Sequence, residues 1–269
     1  MSDIYIKNYS FYDDFPDNVP VPGKPYITCY MGDFCVRKPL VQPSIAILLE
    51  PRSIEPKGYE FIENHPTFFK HIWTHDEKLL KLPQAHFLLW ASTWCTADIP
   101  KTKNCSIVSS DKHCCELHDA RIELAQYFDK GDLVDALGTF RGNKADYVEA
   151  YDAHAPYKFA IAIENWIGDY WYTEKILNCF STKTVPIYYG ARKIGDYFNE
   201  DGIIQVDDWR KIPELVENLD FDSEYEKRRE AIEENFIRVK PWGSRWRDRF
   251  FHDYGDLLEE MMDDLYRNA

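Results

Sequence analysis

The chain has 269 residues, 45% hydrophobic and 29% charged, a globular composition long enough to bury roughly 70–75% of the surface its unfolded form exposes. Its formal charge of −14 argues against a nucleic-acid backbone as partner and disfavours adsorption to an anionic membrane, because both need a basic face. Seven cysteines, an odd number with no CxxC pair, argue against a disulfide framework. No apolar run follows a basic region at the N-terminus, and no stretch approaches the ~20 apolar residues of a membrane span. The expectation is a reduced, cytoplasmic protein, with peripheral membrane association and oligomeric state left open. On that expectation the sequons at Asn8 and Asn104 are chance matches. The 8 Trp, 18 Tyr and 16 Phe fit either an aromatic-rich core or rings that stack on sugars.

In chain order, short apolar runs predict strands at residues 4–7, 26–30, 44–49, 68–73 and 86–90. Further strands are predicted at 105–109, 158–163, 184–189 and 203–206. Helical patterns fall at 76–82, 114–128, 174–182 and 209–218. This alternation predicts an α/β chain with parallel sheets covered by helices. The polar, proline-containing stretch 96–104 reads as a linker, which divides an N-terminal lobe (1–97) from a C-terminal lobe (98–249). At the end, Phe250, Phe251, Tyr254, Leu257, Leu258, Met261 and Leu265 recur near the 3.6-residue period, so residues 250–269 form a docking helix.

The stretch from Tyr157 to Gly190 is the most informative. The run 158–163 suits a buried parallel strand and ends in Glu164-Asn165, which places two polar side chains where open α/β sheets bind ligands. A loop of glycine and aromatics then leads to Thr173-Glu174-Lys175. Thr173 is a good N-cap, and Glu174 suits the positive end of a helix dipole. Lys175 does not: a cation in the first turn is disfavoured by roughly 0.3–1 kcal/mol unless an anion sits there too. Two readings stand, a solvated surface lysine or a lysine facing a bound pyrophosphate. Arg121 poses the same question. It lies within the apolar stripe Leu117, Ala120, Leu124 and Phe128, and a buried arginine needs an anion, internal or from a ligand.

Three linked segments, ENWIGDYWYTEKI, TVPIYYG and YFNEDGIIQVDDW, resemble in order and spacing the signature region of the α1,3-fucosyltransferases. The clear likeness covers about 50 residues, and a weaker one extends upstream through Ser109-Ser110 to Arg121. The resemblance implies a GT-B-like fold, two Rossmann-like lobes with parallel sheets facing a central cleft. GDP-fucose would lie mostly on the C-terminal lobe, with an oligosaccharide acceptor on the N-terminal one and no tightly bound cofactor. It further implies that Arg121 and Lys175 neutralise the diphosphate, that Glu174 holds the ribose, and that Glu164, Asn165, Trp171 and Tyr172 line the donor pocket. The family has a tyrosine where this chain has Trp171; Tyr170 or Tyr172 could supply the hydroxyl. Ile163 replaces the family's phenylalanine.

The implied reaction inverts the anomeric carbon through an oxocarbenium-like transition state, so a base must deprotonate the acceptor. Two cationic side chains and a helix end can stabilise the departing GDP without a metal. The base is expected to be Glu50, because Glu50-Pro51 loosely matches the family's Glu-Ser-Pro at the end of a strand; Glu55 and Glu63 compete. The implied activity is fucosyl transfer to a GlcNAc-containing β-galactoside glycan with α1,3 or α1,3/4 linkage. Its rivals are transfer of another GDP-sugar and catalytically inactive nucleotide-sugar or glycan binding. His113, Cys114, Cys115 and His118 are metal-ligand types without a completing cluster, and Asp207-Asp208 reads as structural.

Overall fold

The computed structural model describes residues 6–9, 26–36 and 43–268. Ile4 and Tyr5 of the first predicted strand lie outside them. The strands are β1 (Ile6–Tyr9), β2 (Ile27–Met31), β3 (Ser44–Ile47), β4 (His71–Thr74), β5 (Ala85–Phe87), β6 (Lys103–Val108), β7 (Asp135–Leu137), β8 (Tyr157–Ile163), β9 (Val185–Tyr189) and β10 (Ile204–Gln205). The helices are α1 (Pro56–Asn64), α2 (Glu116–Phe128), α3 (Ala150–His154), α4 (Glu174–Ser181), α5 (Ile212–Glu217), α6 (Phe221–Lys227), α7 (Arg229–Arg238) and α8 (Trp246–Asn268). They form two compact units, one of Met1–Trp90 with Arg245–Ala269, the other of Ala91–Ser244.

The first unit is built on β1-β2-β3-β4-β5, a parallel sheet whose strands lie in chain order. Side chains alternate across a strand, so each apolar run supplies two faces. Tyr30, Ala46 and Leu48 point to one side, where Tyr59 and Ile62 of α1 cover them together with Phe69 and Ile72. Ile27, Cys29, Met31, Ile45, Ile47 and Leu49 point to the other, against Trp246, Phe250, Leu258, Met261 and Met262 of α8. The C-terminal helix therefore belongs to the first unit. Trp73 meets Phe250 and Tyr254 edge-on at 5.1 and 5.4 Å between ring centroids.

Predicted helix 76–82 shrinks to a single 3-10 turn, Leu79–Lys81. The reason is the Asp76 carboxylate, which accepts from Lys78 N and Leu79 N while gripping Arg52 at 2.6 and 2.9 Å. A side chain that holds the local backbone N–H groups competes with a regular helix.

The second unit has sheet order β10-β9-β8-β6-β7, again all parallel. The chain runs from β6 outward to β7, then returns to β8 on the other side and continues to β9 and β10. The order thus reverses between β6 and β8, and the crevice outside their carboxyl ends is a topological switch point. The stretch 96–104 is not a free linker. Ala97 N donates to Ser181 O at 2.9 Å, the half-buried Lys101 ammonium donates to Ala155 O, Thr182 O and Thr184 Oγ1, and residues from Lys103 already form β6.

Candidate functional site

The site begins where β8 ends. Glu164, immediately after Ile163, is wholly buried, and its backbone N–H donates to Tyr189 O at 3.0 Å, one strand across. Its carboxylate accepts twice from one residue: Thr173 N at 2.9 Å to Oε1 and Thr173 Oγ1 at 2.7 Å to Oε2. Thr173 caps α4 as its side chain accepts from Lys175 N at 3.4 Å. A strand end and a helix start are thereby held in one place. Burial pushes the Glu164 carboxyl above its usual range, against the pull of Lys175 and the Thr173 donors.

Gly190 makes room for this. A Cβ there would lie 2.3 Å from the Tyr188 hydroxyl and 2.6 Å from Glu164 Cγ. The buried Tyr188 hydroxyl accepts from Ala191 N at 2.9 Å. Beside it, the loop after β8 is pinned to the loop after β9 by Arg192 N to Gly168 O and Lys193 N to Asp169 O, both 2.9 Å.

Lys175 extends its ammonium back over the helix start. Nζ stands 2.9 Å from Glu174 Oε1, 3.1 Å from Thr173 Oγ1 and 3.8 Å from Glu164 Oε2, with 23% of the side chain exposed. Burial would raise the Glu174 carboxyl, but the charge and hydrogen bond of Lys175 outweigh it and hold that carboxyl below its usual value. Of the two readings, the solvated surface lysine is set aside: Lys175 is anchored between two carboxylates at a helix N-terminus.

Arg121 arrives from α2 and is 7% exposed. Nη1 donates to Ile163 O at 2.7 Å and Nη2 to Asn165 Oδ1 at 2.9 Å. Among the described residues it forms no ion pair with a carboxylate. A guanidinium carries five N–H donors and remains charged, so two neutral acceptors leave both charge and donors to be met. Burial lowers its proton affinity, partly offset by the nearby Glu164 charge. Glu164, Asn165, Glu174, Lys175 and Arg121 thus come together at the β8 end of the switch-point crevice.

Trp171 and Tyr172 are buried at 1% exposure each. Tyr172 packs edge-on to Tyr197, Phe198 and Trp242, with centroids 5.3–5.9 Å apart. Tyr170, which is more exposed, faces Tyr197 at 6.1 Å and the Lys193 ammonium at 5.1 Å. Glu50 lies in the first unit, just past β3, where its backbone carbonyl accepts from Tyr59 at 2.6 Å.

Three neighbours were not read as part of this site: Cys115 and His118 were weighed only as metal-ligand types, and Gly138 escaped the sequence reading. Cys115, at the N-cap of α2, donates through Sγ to Asn165 O at 3.6 Å. His118 is neutral, lowered to about 4 by burial and by the charges of Arg121, Lys175 and Lys112. Its Nδ1 accepts from Cys114 N at 3.1 Å. Gly138 follows β7 with φ +97, where a Cβ would lie 2.4 Å from Ser109 O at the end of β6. Only the glycine-rich run Leu137–Gly142 signalled that turn. Asp208, as read, is structural: it caps the turn Trp209–Lys211 by accepting from Arg210 N at 3.0 Å. No helix among the described residues is long and apolar enough to cross a membrane.

Two α/β units on parallel sheets, with cationic and polar side chains gathered at a strand-end crevice, define the GT-B class of glycosyltransferase folds. Residues 100–232 match the model of the C-terminal region of glycosyltransferase family 10 (fucosyltransferase). That match spans just under half of the chain and supports the fucosyltransferase family for it. The α1,3-fucosyltransferase FucT of Helicobacter pylori is 28% identical over 91 residues, which are 34% of this chain and 18% of that protein. The chain therefore aligns with less than a fifth of that relative's length. A crystal structure of an α1,3-fucosyltransferase with GDP superposes with a TM-score of 0.53 at 14% identity, covering 86% of this chain and 77% of the other. A crystal structure of an α1,3-fucosyltransferase with GDP-fucose gives 0.54 at 13%, covering 87% of this chain and 78% of the other. At these identities the likeness is one of fold.

Proposed function

We propose that this protein transfers fucose from GDP-fucose, with inversion, to a hydroxyl of a GlcNAc-containing β-galactoside glycan, forming an α1,3 or α1,3/4 linkage. The observation that carries this reading is Arg121, a buried guanidinium without a carboxylate ion-pair partner among the described residues, set beside Lys175 at the N-terminus of α4. Cations and helix-end N–H groups aimed at one crevice form a diphosphate site. The family match and the GDP-fucose named for a structure of similar fold support this choice of sugar nucleotide.

In this reading Arg121 and Lys175 take up the negative charge that grows on the β-phosphate as the bond to the anomeric carbon breaks. They are fixed before the reaction, Arg121 by Ile163 O and Asn165, Lys175 by Glu174 and Thr173, so little reorganisation is needed. Glu174 is kept ionised by Lys175 and can accept from ribose hydroxyls. Glu50, just beyond the carboxyl end of β3, takes the acceptor proton.

GDP release from GDP-fucose with N-acetyllactosamine, compared with other GDP-sugars, tests donor and acceptor together. Lys175→Ala is expected to weaken GDP binding tenfold or more, whereas Glu50→Ala spares GDP binding and abolishes transfer. Equal loss of GDP affinity in both variants refutes these roles. Tight GDP binding without turnover of any donor would leave a binding protein.

A further inference from the structure

The first residues of the second unit form a strap along α4. Thr93 N donates to Trp242 O at 3.0 Å, Trp94 N to Asn178 Oδ1 at 2.8 Å and Ala97 N to Ser181 O at 2.9 Å. Ser181 Oγ answers by donating to Cys95 O at 2.7 Å. Residues three and four apart on a helix are neighbours, so the strap is fixed on the face of α4 shared by Glu174, Asn178 and Ser181. Lys175, three residues before Asn178, borders that face. One helical turn is about 5.4 Å, so Trp94 is held about one turn from the two charged side chains that start α4. The ring of Trp242, whose carbonyl holds Thr93, packs edge-on to Tyr172 at 5.4 Å, just before the Thr173 cap.

Two side chains of this arrangement call for a partner. The Trp94 side chain is 65% exposed and its indole packs on no other ring among the described residues, whereas tryptophan is on average highly buried. Its backbone is nevertheless held on both sides, so covering the ring with a ligand orders little that is not already ordered. Asn178 is the opposite case, a polar side chain 2% exposed. Only Oδ1 of its amide can accept from Trp94 N, which fixes the orientation and turns Nδ2 the other way. There Nδ2 donates to no group among the described residues. A buried amide N–H without an acceptor is costly, and native structures meet such a donor with a ligand oxygen or an ordered water.

We propose that Trp94 and Asn178 form the subsite for the transferred sugar, the indole covering the apolar face of the pyranose and Asn178 Nδ2 donating to one of its oxygens. This rests on the reading that the diphosphate of GDP-fucose binds at Arg121 and Lys175. The sugar is bonded to the β-phosphate, so its ring is tethered close to those cations, and a pair of groups one turn from Lys175 lies within its reach. An aromatic face beside a fixed amide donor matches a pyranose, which presents C–H bonds on its faces and oxygens around its edge. Fucose adds an apolar corner, because its C6 is a methyl group where hexoses such as mannose carry a hydroxymethyl. The subsite thereby reads which GDP-sugar is bound, in addition to holding it.

Calorimetry with GDP and with GDP-fucose separates the sugar subsite from the nucleotide site. Trp94→Ala, a change at an exposed side chain that the fold tolerates, is expected to weaken GDP-fucose binding about tenfold and to leave GDP binding within about twofold of native. Trp94→Phe keeps an aromatic face and should recover most of that loss. Asn178→Ala is expected to weaken GDP-fucose about fivefold, again with GDP spared. In transfer to N-acetyllactosamine, Trp94→Ala should narrow the preference for GDP-fucose over GDP-mannose. If both alanine variants bind GDP-fucose as the native chain does, the subsite falls and the donor reading stands. Equal weakening of GDP and GDP-fucose in Asn178→Ala makes the amide a prop for α4 and overturns its role. A Trp94→Ala chain altered only in its KM for the acceptor gives the indole to the acceptor and overturns the proposal. If the native chain binds neither GDP nor GDP-fucose, the donor reading and this inference fall together.

Discussion

Thr173 gives both its hydroxyl and its backbone N–H to the same carboxylate, that of Glu164, which has no exposure to solvent. One residue thereby joins the end of β8 to the start of α4, and the helix end that receives Lys175 is placed relative to the strand that receives Arg121. Thr173→Val keeps the shape and the N–H but removes the hydroxyl. It is expected to destabilise the protein by about 1–3 kcal/mol, the cost of a buried charged group losing a donor. Urea unfolding measures this, and an unchanged midpoint would show that Glu164 finds another donor.

Gly190→Ala is expected to be comparably harmful by a steric route. The added methyl meets the Tyr188 hydroxyl at 2.3 Å and Glu164 Cγ at 2.6 Å, both in a packed interior that yields at a cost of about 1–3 kcal/mol. Gly131→Ala is the control: nothing lies within 4 Å of its Cβ, and its stability should stay within about 0.5 kcal/mol of the native chain. Equal midpoints for the two variants in denaturant would contradict the packing described around Tyr188.

Arg121→Lys tests geometry apart from charge. An ammonium keeps the positive charge but cannot span Ile163 O and Asn165 Oδ1 while facing an anion. GDP affinity by calorimetry is expected to fall about tenfold, near 1.4 kcal/mol. Native affinity in this variant would mean that the charge alone suffices.

Acid should destabilise the fold. His71, His75 and His118 are each lowered to about 4, with burial the largest cause, from an ordinary value of 6.5. Between those values the unfolded chain binds protons that the native state refuses, so stability falls as pH drops from 6.5 towards 4. Each group contributes at most about 1.4 kcal/mol per pH unit in that window, and His71 and His118 less because solvent screens them. Glu55 acts with the opposite sign: its raised value favours the native state at low pH and is lost as pH rises towards 7. Glu164 is raised as well and acts as Glu55 does, while His86 and His154 are lowered like the other three; five histidines outweigh two glutamates, so the expected net slope is positive. Thermal unfolding across pH 4–7 measures it. His118→Asn, which keeps an acceptor for Cys114 N but cannot be protonated, should flatten part of the slope.

Much of the second unit could be read along the chain. The run before Glu164 is a buried strand, Thr173 is an N-cap and residues 174–181 are helical, because capping chemistry and hydrophobic period act over a few residues. The apolar face of α8 was equally plain, but not its destination. That depended on the first sheet having one face left for it after α1 covered the other. β7 is three residues long and no periodicity can announce it; Gly138 matters only because Ser109 O approaches from 29 residues away.

The candidate site divides in the same manner. Residue types and spacing singled out Glu164-Asn165 at a strand end and Lys175 and Arg121 as cations in unusual settings, and the resemblance to the family joined them with Glu174 into one group. Composition and local pattern could not say whether Arg121 had an internal acid as partner, since that depends on which side chains meet across 42 residues of chain. The fold answers with a carbonyl and an amide. Glu55 shows the reverse limit: nothing in its local sequence marks it for burial, yet Gly32 and Gly58 let a turn and a helix approach closely enough to shut its Oε2 away from water. Local propensity is written in neighbouring residues, whereas desolvation and charge coupling arise only when distant segments pack.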